Sequence, residues 1–227
     1  MKSLIVVAAT LLSLTPSIHA DELFNNFGPN DGYTTGIASS VTGWGYPPPA
    51  PAAVGFRFAP SADGRIMDYQ LPLGTGGTTN NQLRLELRLD VANRPDFTAT
   101  GLVDVALIDF DSASIYSGTS QNQPLISTSQ HYWLLASMEG EHVGLWYVGA
   151  PVQALLDTYI YKDRDNPDNG FFSPAGSSED SVFRINGVSA VPEPATIMMI
   201  LVPAVGAIGI AWRRRLQLIR AANENLN

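Results

Sequence analysis

Apolar and polar residues alternate through the middle of the chain. In QLRLELRLD, Leu83, Leu85, Leu87 and Leu89 fall on one side, and Arg84, Glu86, Arg88 and Asp90 on the other. A period of two marks a strand with one face buried. AVGFRFA repeats the pattern with Val54, Phe56 and Phe58. Further strands are expected at Ile66–Leu73, Leu102–Phe110, His131–Met138, Val143–Val148 and Ser181–Val188. Turn chemistry separates them at Asp63-Gly64, Gly74 to Gly77, Asn93 to Asp96, Glu139-Gly140 and Asn169-Gly170. Helical periodicity is confined to one short expected turn, Val152–Tyr159. GYPPPAPAA, Gly45–Ala53, reads as a stiff extended loop, because strand patterning resumes directly after it. Many short strands punctuated by Gly and Pro predict an all-β fold, an antiparallel β-sandwich or jelly roll.

Both ends break this pattern. MKSLIVVAATLLSLTPSIHA, residues 1–20, has Lys2 at its start, an apolar stretch from Leu4 to Leu14, and Ile18-His19-Ala20 before a cut. That is the layout of a secretory signal peptide, with Ser17 or Ala20 as the last residue removed. Its apolar core is about 11 residues, short of the ~20 that a spanning helix needs, so cleavage is expected rather than a retained anchor. At the other end, the segment 195–212 carries no charge. As a helix it spans roughly 27 Å, close to the ~30 Å hydrocarbon core, so a C-terminal transmembrane helix is expected. Pro203 is tolerated there as a kink, and Trp212 sits where an interfacial aromatic belongs. Arg213, Arg214 and Arg215 follow at once and set the cytoplasmic side, leaving the body outside.

Immediately before this helix stands Val191-Pro192-Glu193-Pro194. Each proline holds the residue before it extended, so Val191 and Glu193 are kept out of helical geometry. Pro194 suits a first helical position, and Glu193 is favoured by the helix dipole. Two readings follow. One is an extended tripeptide that a membrane protease or transpeptidase binds as a strand; the plainer one is an ordinary helix start. Taken whole, VPEPATIMMILVPAVGAIGIAWRRR resembles the PEP-CTERM sorting signal of Gram-negative bacteria. The resemblance implies an exosortase, a membrane enzyme similar to cysteine peptidases, as the partner that reads Val191, Pro192, Glu193, Pro194 and the arginines. It also implies an inner-membrane precursor facing the periplasm, then delivery to the cell surface or beyond. One departure is the extra LQLIRAANENLN, residues 216–227, expected to be a short cytoplasmic tail. The domain plan is therefore a signal peptide (1–20), a surface domain (21–190), a sorting signal (191–215) and a tail.

The body resembles a known group as well. FNNFGPNDGY, VGFRFAPSA, HYWLLAS and FRINGV occur in the order found in choice-of-anchor domains, particularly type R. That resemblance implies a β-rich bacterial surface module. Proteins with PEP-CTERM signals accompany exopolysaccharide and biofilm production, which implies a structural matrix component; the alternative is a carbohydrate-binding module of that matrix.

Composition narrows the chemistry. The chain has 227 residues with a formal net charge of −8, 15% charged residues, 20 Gly and 16 Pro, as in loop-rich exported β proteins. It has no cysteine, so core packing and backbone pairing must hold it even in an oxidising compartment. Between Asp21 and Val191 there are 19 acidic and 8 basic side chains, a surface that repels phosphate backbones and argues against nucleic acid as a partner. Two histidines remain after export, His131 and His142, with no G-x-S-x-G or H-E-x-x-H segment to mark a nucleophile or zinc. The expectation is not an enzyme, and no cofactor beyond a weak calcium candidate. That candidate is KDRDNPDNG, where Asp163, Asp165, Asp168 and Asn169 offer oxygen donors on one short loop. Pro167 occupies the third ligand position of an EF-hand spacing, and Lys162 and Arg164 offset the charge, so a solvated turn is the favoured reading. Among the aromatics, alternation sends Tyr132 or Trp133, and Trp146 or its neighbours Leu145 and Tyr147, into the core. Trp44 and Tyr46, in VTGWGYPPP, are the exposed candidates for stacking on a sugar.

Overall fold

The computed structural model describes residues 21–43, 53–77, 81–138, 142–149, 156–161, 170–174, 181–189 and 213. All of these except Arg213 belong to one compact unit. It is built from β1 (Asp21–Asn25), β2 (Tyr33–Thr42), β3 (Ala53–Phe58), β4 (Gly64–Thr75), β5 (Asn81–Val91), β6 (Arg94–Pro95), β7 (Leu102–Phe110), β8 (Ser114–Thr119), β9 (Leu125–Ile126), β10 (Tyr132–Met138), β11 (Val143–Gly149), β12 (Thr158–Tyr161), β13 (Phe171–Ser173) and β14 (Arg184–Ser189). The all-β class holds. Every segment expected from alternation contains a strand, and β7 matches its expected limits.

The strands form two antiparallel sheets. In the first, β4 is central: β14 pairs with its first half and β11 with its end, while β8 and β9 pair along its other edge. β1 then pairs with β14, and β2 with β11. The second sheet runs β13-β12-β3-β10-β5, with β7 on the far side of β5. Alternation decides which side chains meet between them. Leu83, Leu85 and Leu87 of β5, and Val54, Phe56 and Phe58 of β3, join Ile66, Tyr69, Leu71 and Leu73 of β4 in one buried cluster. Rings cross the gap: Phe56 meets Trp146 edge-on at 5.0 Å between centroids, and Phe58 meets Phe24 at 4.8 Å. Each fully buried aliphatic or aromatic side chain of this kind contributes roughly 1.5–3 kcal/mol.

Three expectations are corrected. Gly74 lies inside β4 rather than in a turn, because the β4 ladder continues to Thr75 opposite Gly144; the turn begins after it, with Gly77 at φ 101°. The expected helical turn Val152–Tyr159 is overridden at its end, where Thr158 and Tyr159 start β12 and pair with Phe56 and Gly55 of β3. Two β-branched residues alternating with two tyrosines favour the strand once such a neighbour exists. Lastly, alternation on β10 does not choose between Tyr132 and Trp133: both are buried, Tyr132 between the sheets and Trp133 on the outer face of the second sheet. On β11, Trp146 is fully buried and Tyr147 nearly so, with Leu145 half-buried.

Candidate functional site

The first and last strands of the body end together. β1 pairs antiparallel with β14, Asp21 opposite Gly187, and the Ser189 N–H donates to the Asp21 carboxylate at 3.0 Å. The same region gathers all four segments that carry the surface-domain resemblance. Asn26 clasps the start of β14: its side-chain oxygen accepts from Phe183 N at 2.7 Å, and its amide donates to Ser181 O. Phe24 stacks on Phe183 at 4.8 Å, Phe58 contacts Phe183 at 5.4 Å, and Tyr132 follows at 6.0 Å from Phe58. Arg184 completes the group by pairing with Asp31 while its guanidinium lies 5.3 Å over Phe27. These motifs do packing work where the two ends of the fold are sewn together.

A second polar cluster lies on the outer face of the second sheet. Arg57 of β3 bridges Asp90 at 3.0 Å and Asp157 at 3.2 Å, and Asp90 also accepts from the Trp133 indole N–H at 2.7 Å. Tyr159 and Phe172 close around Trp133, with ring centroids at 5.9 and 6.4 Å. Beside it, Glu86 takes Arg84 on one carboxylate oxygen at 2.9 Å and Arg88 on the other at 2.6 Å. Burial works to raise the Glu86 pKa, but the hydrogen bonds and charges of the two arginines outweigh it and hold the carboxyl below its ordinary value. Sequence alternation put these charged side chains outward; only register reveals that Arg57 and Asp90 meet.

A buried carboxylate was also missed. Asp104 of β7 is fully enclosed and accepts from the Tyr69 hydroxyl at 2.7 Å, from the Ser120 hydroxyl, and from Asn122 N at 2.8 Å. Burial, then the charge of Asp104, raises the Tyr69 hydroxyl well above the usual tyrosine range. Alternation places Asp104 on the same face as Ala106, Ile108 and Phe110, but Val103, Val105 and Leu107 make the opposite face apolar too and hide which side is buried. His131 is exposed before β10. His142 is half-buried, and its Nδ1 has no hydrogen-bond partner among the described residues. No group of three or more metal-ligating side chains occurs among the described residues.

The residues singled out for function fall largely elsewhere. Trp44, Tyr46, Asp163, Asp165, Asp168, Asn169, Val191, Pro192, Glu193, Pro194, Arg214 and Arg215 lie outside the described residues, as do the signal peptide and the segment 195–212. Arg213 is described, and is helical and exposed. Among the described residues no helix is long and apolar enough to cross a membrane.

Residues 190–215 match the family model of the PEP-CTERM protein-sorting motif. The chain carries a PEP-CTERM signal. This motif implies a secreted, membrane-anchored precursor that an exosortase processes toward the cell surface. No curated protein and no solved structure matches the chain. The PEP-CTERM match opens at residue 190, directly after Ser189, the final residue of β14.

The strand ladders place the described residues that flank the two ligand candidates. The connection 44–52 enters β3 at Ala53, and Tyr161, which precedes the acidic connection 162–169, pairs with Ala53. Gly43, at the head of the first connection, bridges Met138 and donates its N–H to His142 O at 2.8 Å. The flanking residues Gly43, Ala53 and Tyr161 therefore lie at one end of the body, with His142 beside Gly43. Asp21 and Ser189 are at the opposite end, since Ser189 pairs with Gly64 at the start of β4 while Gly144 pairs with Thr75 at its finish.

Proposed function

We propose that this chain is a non-enzymatic component of the bacterial surface or extracellular matrix, a β-sandwich module made as a periplasm-facing inner-membrane precursor and released or re-anchored by an exosortase. The observation that carries the reading is the PEP-CTERM motif following directly on a folded antiparallel β body. A choice-of-anchor type R ancestry for the body is supported by the convergence of its four resembling segments on one aromatic seam, Phe24, Phe58, Tyr132 and Phe183. A role in an exopolysaccharide-based biofilm of a Gram-negative cell fits that delivery route. The test is fractionation of cells expressing the chain with Pro192→Ala, Glu193→Ala and Pro194→Ala together. The expected result is uncut precursor in the inner membrane and none at the surface; normal surface delivery would refute the sorting role.

The second reading is a carbohydrate-binding module, favoured by the place of Gly43, Ala53 and Tyr161, which flank the 44–52 and 162–169 connections, at the end opposite Asp21 and Ser189. Trp44 and Tyr46 would stack on sugar faces, with Asp163, Asp165, Asp168 and Asn169 as an optional calcium loop. Retention of the secreted body on cell-derived polysaccharide, abolished by Trp44→Ala, distinguishes this from a purely structural role. Calcium enters the account only if millimolar calcium raises the melting temperature and a chelator reverses it.

A further inference from the structure

β14 is an interior strand. β4 pairs with it on one side and β1 on the other. Residues 184–187 are paired on both edges, and Val188 and Ser189 continue the ladder with β4. A Cβ placed on Gly187 would meet the Arg65 carbonyl oxygen at 2.3 Å and the Leu23 side chain at 2.4 Å; one placed on Gly64 would meet Leu23 at 2.6 Å and the Val188 carbonyl oxygen at 2.8 Å. The two glycines let three backbones close around Leu23, which is fully buried. Beyond them the Ser189 N–H is held by Asp21. Peeling β14 back through Ser189 and Val188 breaks its pairing with β4, and peeling as far as Gly187 breaks pairing on two edges and wets Leu23.

Only Ala190 and Val191 stand between Ser189 and Pro192 in the sequence. On the reading of residues 191–194 as an extended tripeptide, the enzyme takes this segment as a strand, through main-chain hydrogen bonds. A grip reaching upstream to Val188 claims backbone already paired with β4, next to the Ser189 N–H that Asp21 holds. We propose that the folded body restrains processing of its own sorting motif: the end of β14 must fray, or not yet have docked, before the enzyme can engage the flank of Pro192. This rests on the exosortase reading above. Strand ends open locally at less cost than global unfolding, and the enzyme's apparent affinity falls by the fraction of chains that are open.

A six-residue Gly/Ser insertion between Ser189 and Ala190 of the full-length chain tests this, because it frees the upstream flank and leaves every strand intact. Precursor and product are followed by pulse-labelling in cells that carry the exosortase, with the triple alanine chain run beside them. The insertion is expected to speed processing by about tenfold, the gain from removing a rare-opening requirement. Equal rates with and without the insertion, while the triple alanine chain stays uncut, overturn the restraint and leave the sorting reading standing. A triple alanine chain cut at the normal rate removes the sorting reading and the restraint with it.

Discussion

Single residues carry strain and satisfaction that composition conceals. β5 and β6 are joined by Ala92-Asn93, with Val91 opposite Arg94 and both central residues at positive φ, 52° and 62°. This is a two-residue hairpin of the kind that suits the right-handed twist of paired strands, and it requires left-handed backbone at both positions. Asn93 tolerates that region; Ala92 does so at a cost set by its Cβ. Ala92→Gly is expected to stabilise the body by about 0.5–1 kcal/mol, read as a higher urea midpoint with an unchanged slope. Asp104 shows the opposite economy, an acid in the core kept there by three donors. Removing it as Asp104→Ala leaves the Tyr69 and Ser120 hydroxyls and the Asn122 N–H without their acceptor, and a loss of about 3 kcal/mol is expected in denaturant titration. Tyr69→Phe, which removes one donor and keeps the ring, is expected to cost about half as much.

At the scale of elements, what could be read in advance depended on amphipathic contrast. β5 and β3 announce themselves because leucines and phenylalanines alternate with charges or small residues, and their inward sets are the buried ones. β1, β2, β8, β12 and β13 went unannounced. β2 is Thr- and Ser-rich with an irregular register near Thr34–Ala38, and β8 offers only Ile115 and Tyr116 as large apolar groups. Their strand character comes from available partners, which a single segment does not display. Register was equally hidden, and with it every cross-strand cluster, from Arg57–Asp90 to the inward Asp104. On the outer face of β5, however, a triplet along one strand was readable, and it sets a pH response. Glu86 is held below its ordinary pKa by Arg84 and Arg88, so the unfolded chain takes up a proton there before the folded one does. The pair of bridges therefore adds stability in full above the unfolded value near 4.5, and the gain disappears as pH falls through the lower folded value. Glu86→Gln is expected to lower the melting temperature at pH 7 and to make progressively less difference below about pH 4. A penalty that stays constant down to pH 3 would mean that packing, not charge, is what the carboxylate provides.

For the whole molecule, topology decides when folding can finish. β14, the last strand, lies between the first strand and the central β4, and the Asp21–Ser189 hydrogen bond closes a loop of 168 positions. Pairings of such sequence separation form late and slowly, because the loop must be closed before any contact repays it. The first sheet therefore stays open until residues 184–189 are available, which in an exported chain means until almost the entire body has crossed. A body of residues 21–189 is expected to unfold in one cooperative transition. One of residues 21–183 lacks the strand that fills the gap between β1 and β4, exposes Leu23 and Ile66, and is expected to show no cooperative transition and to bind a hydrophobic dye. If the shorter body melted cooperatively within a few degrees of the longer one, β14 would be an accessory strand, and the coupling between completing the fold and presenting residues 190–215 would have no structural basis.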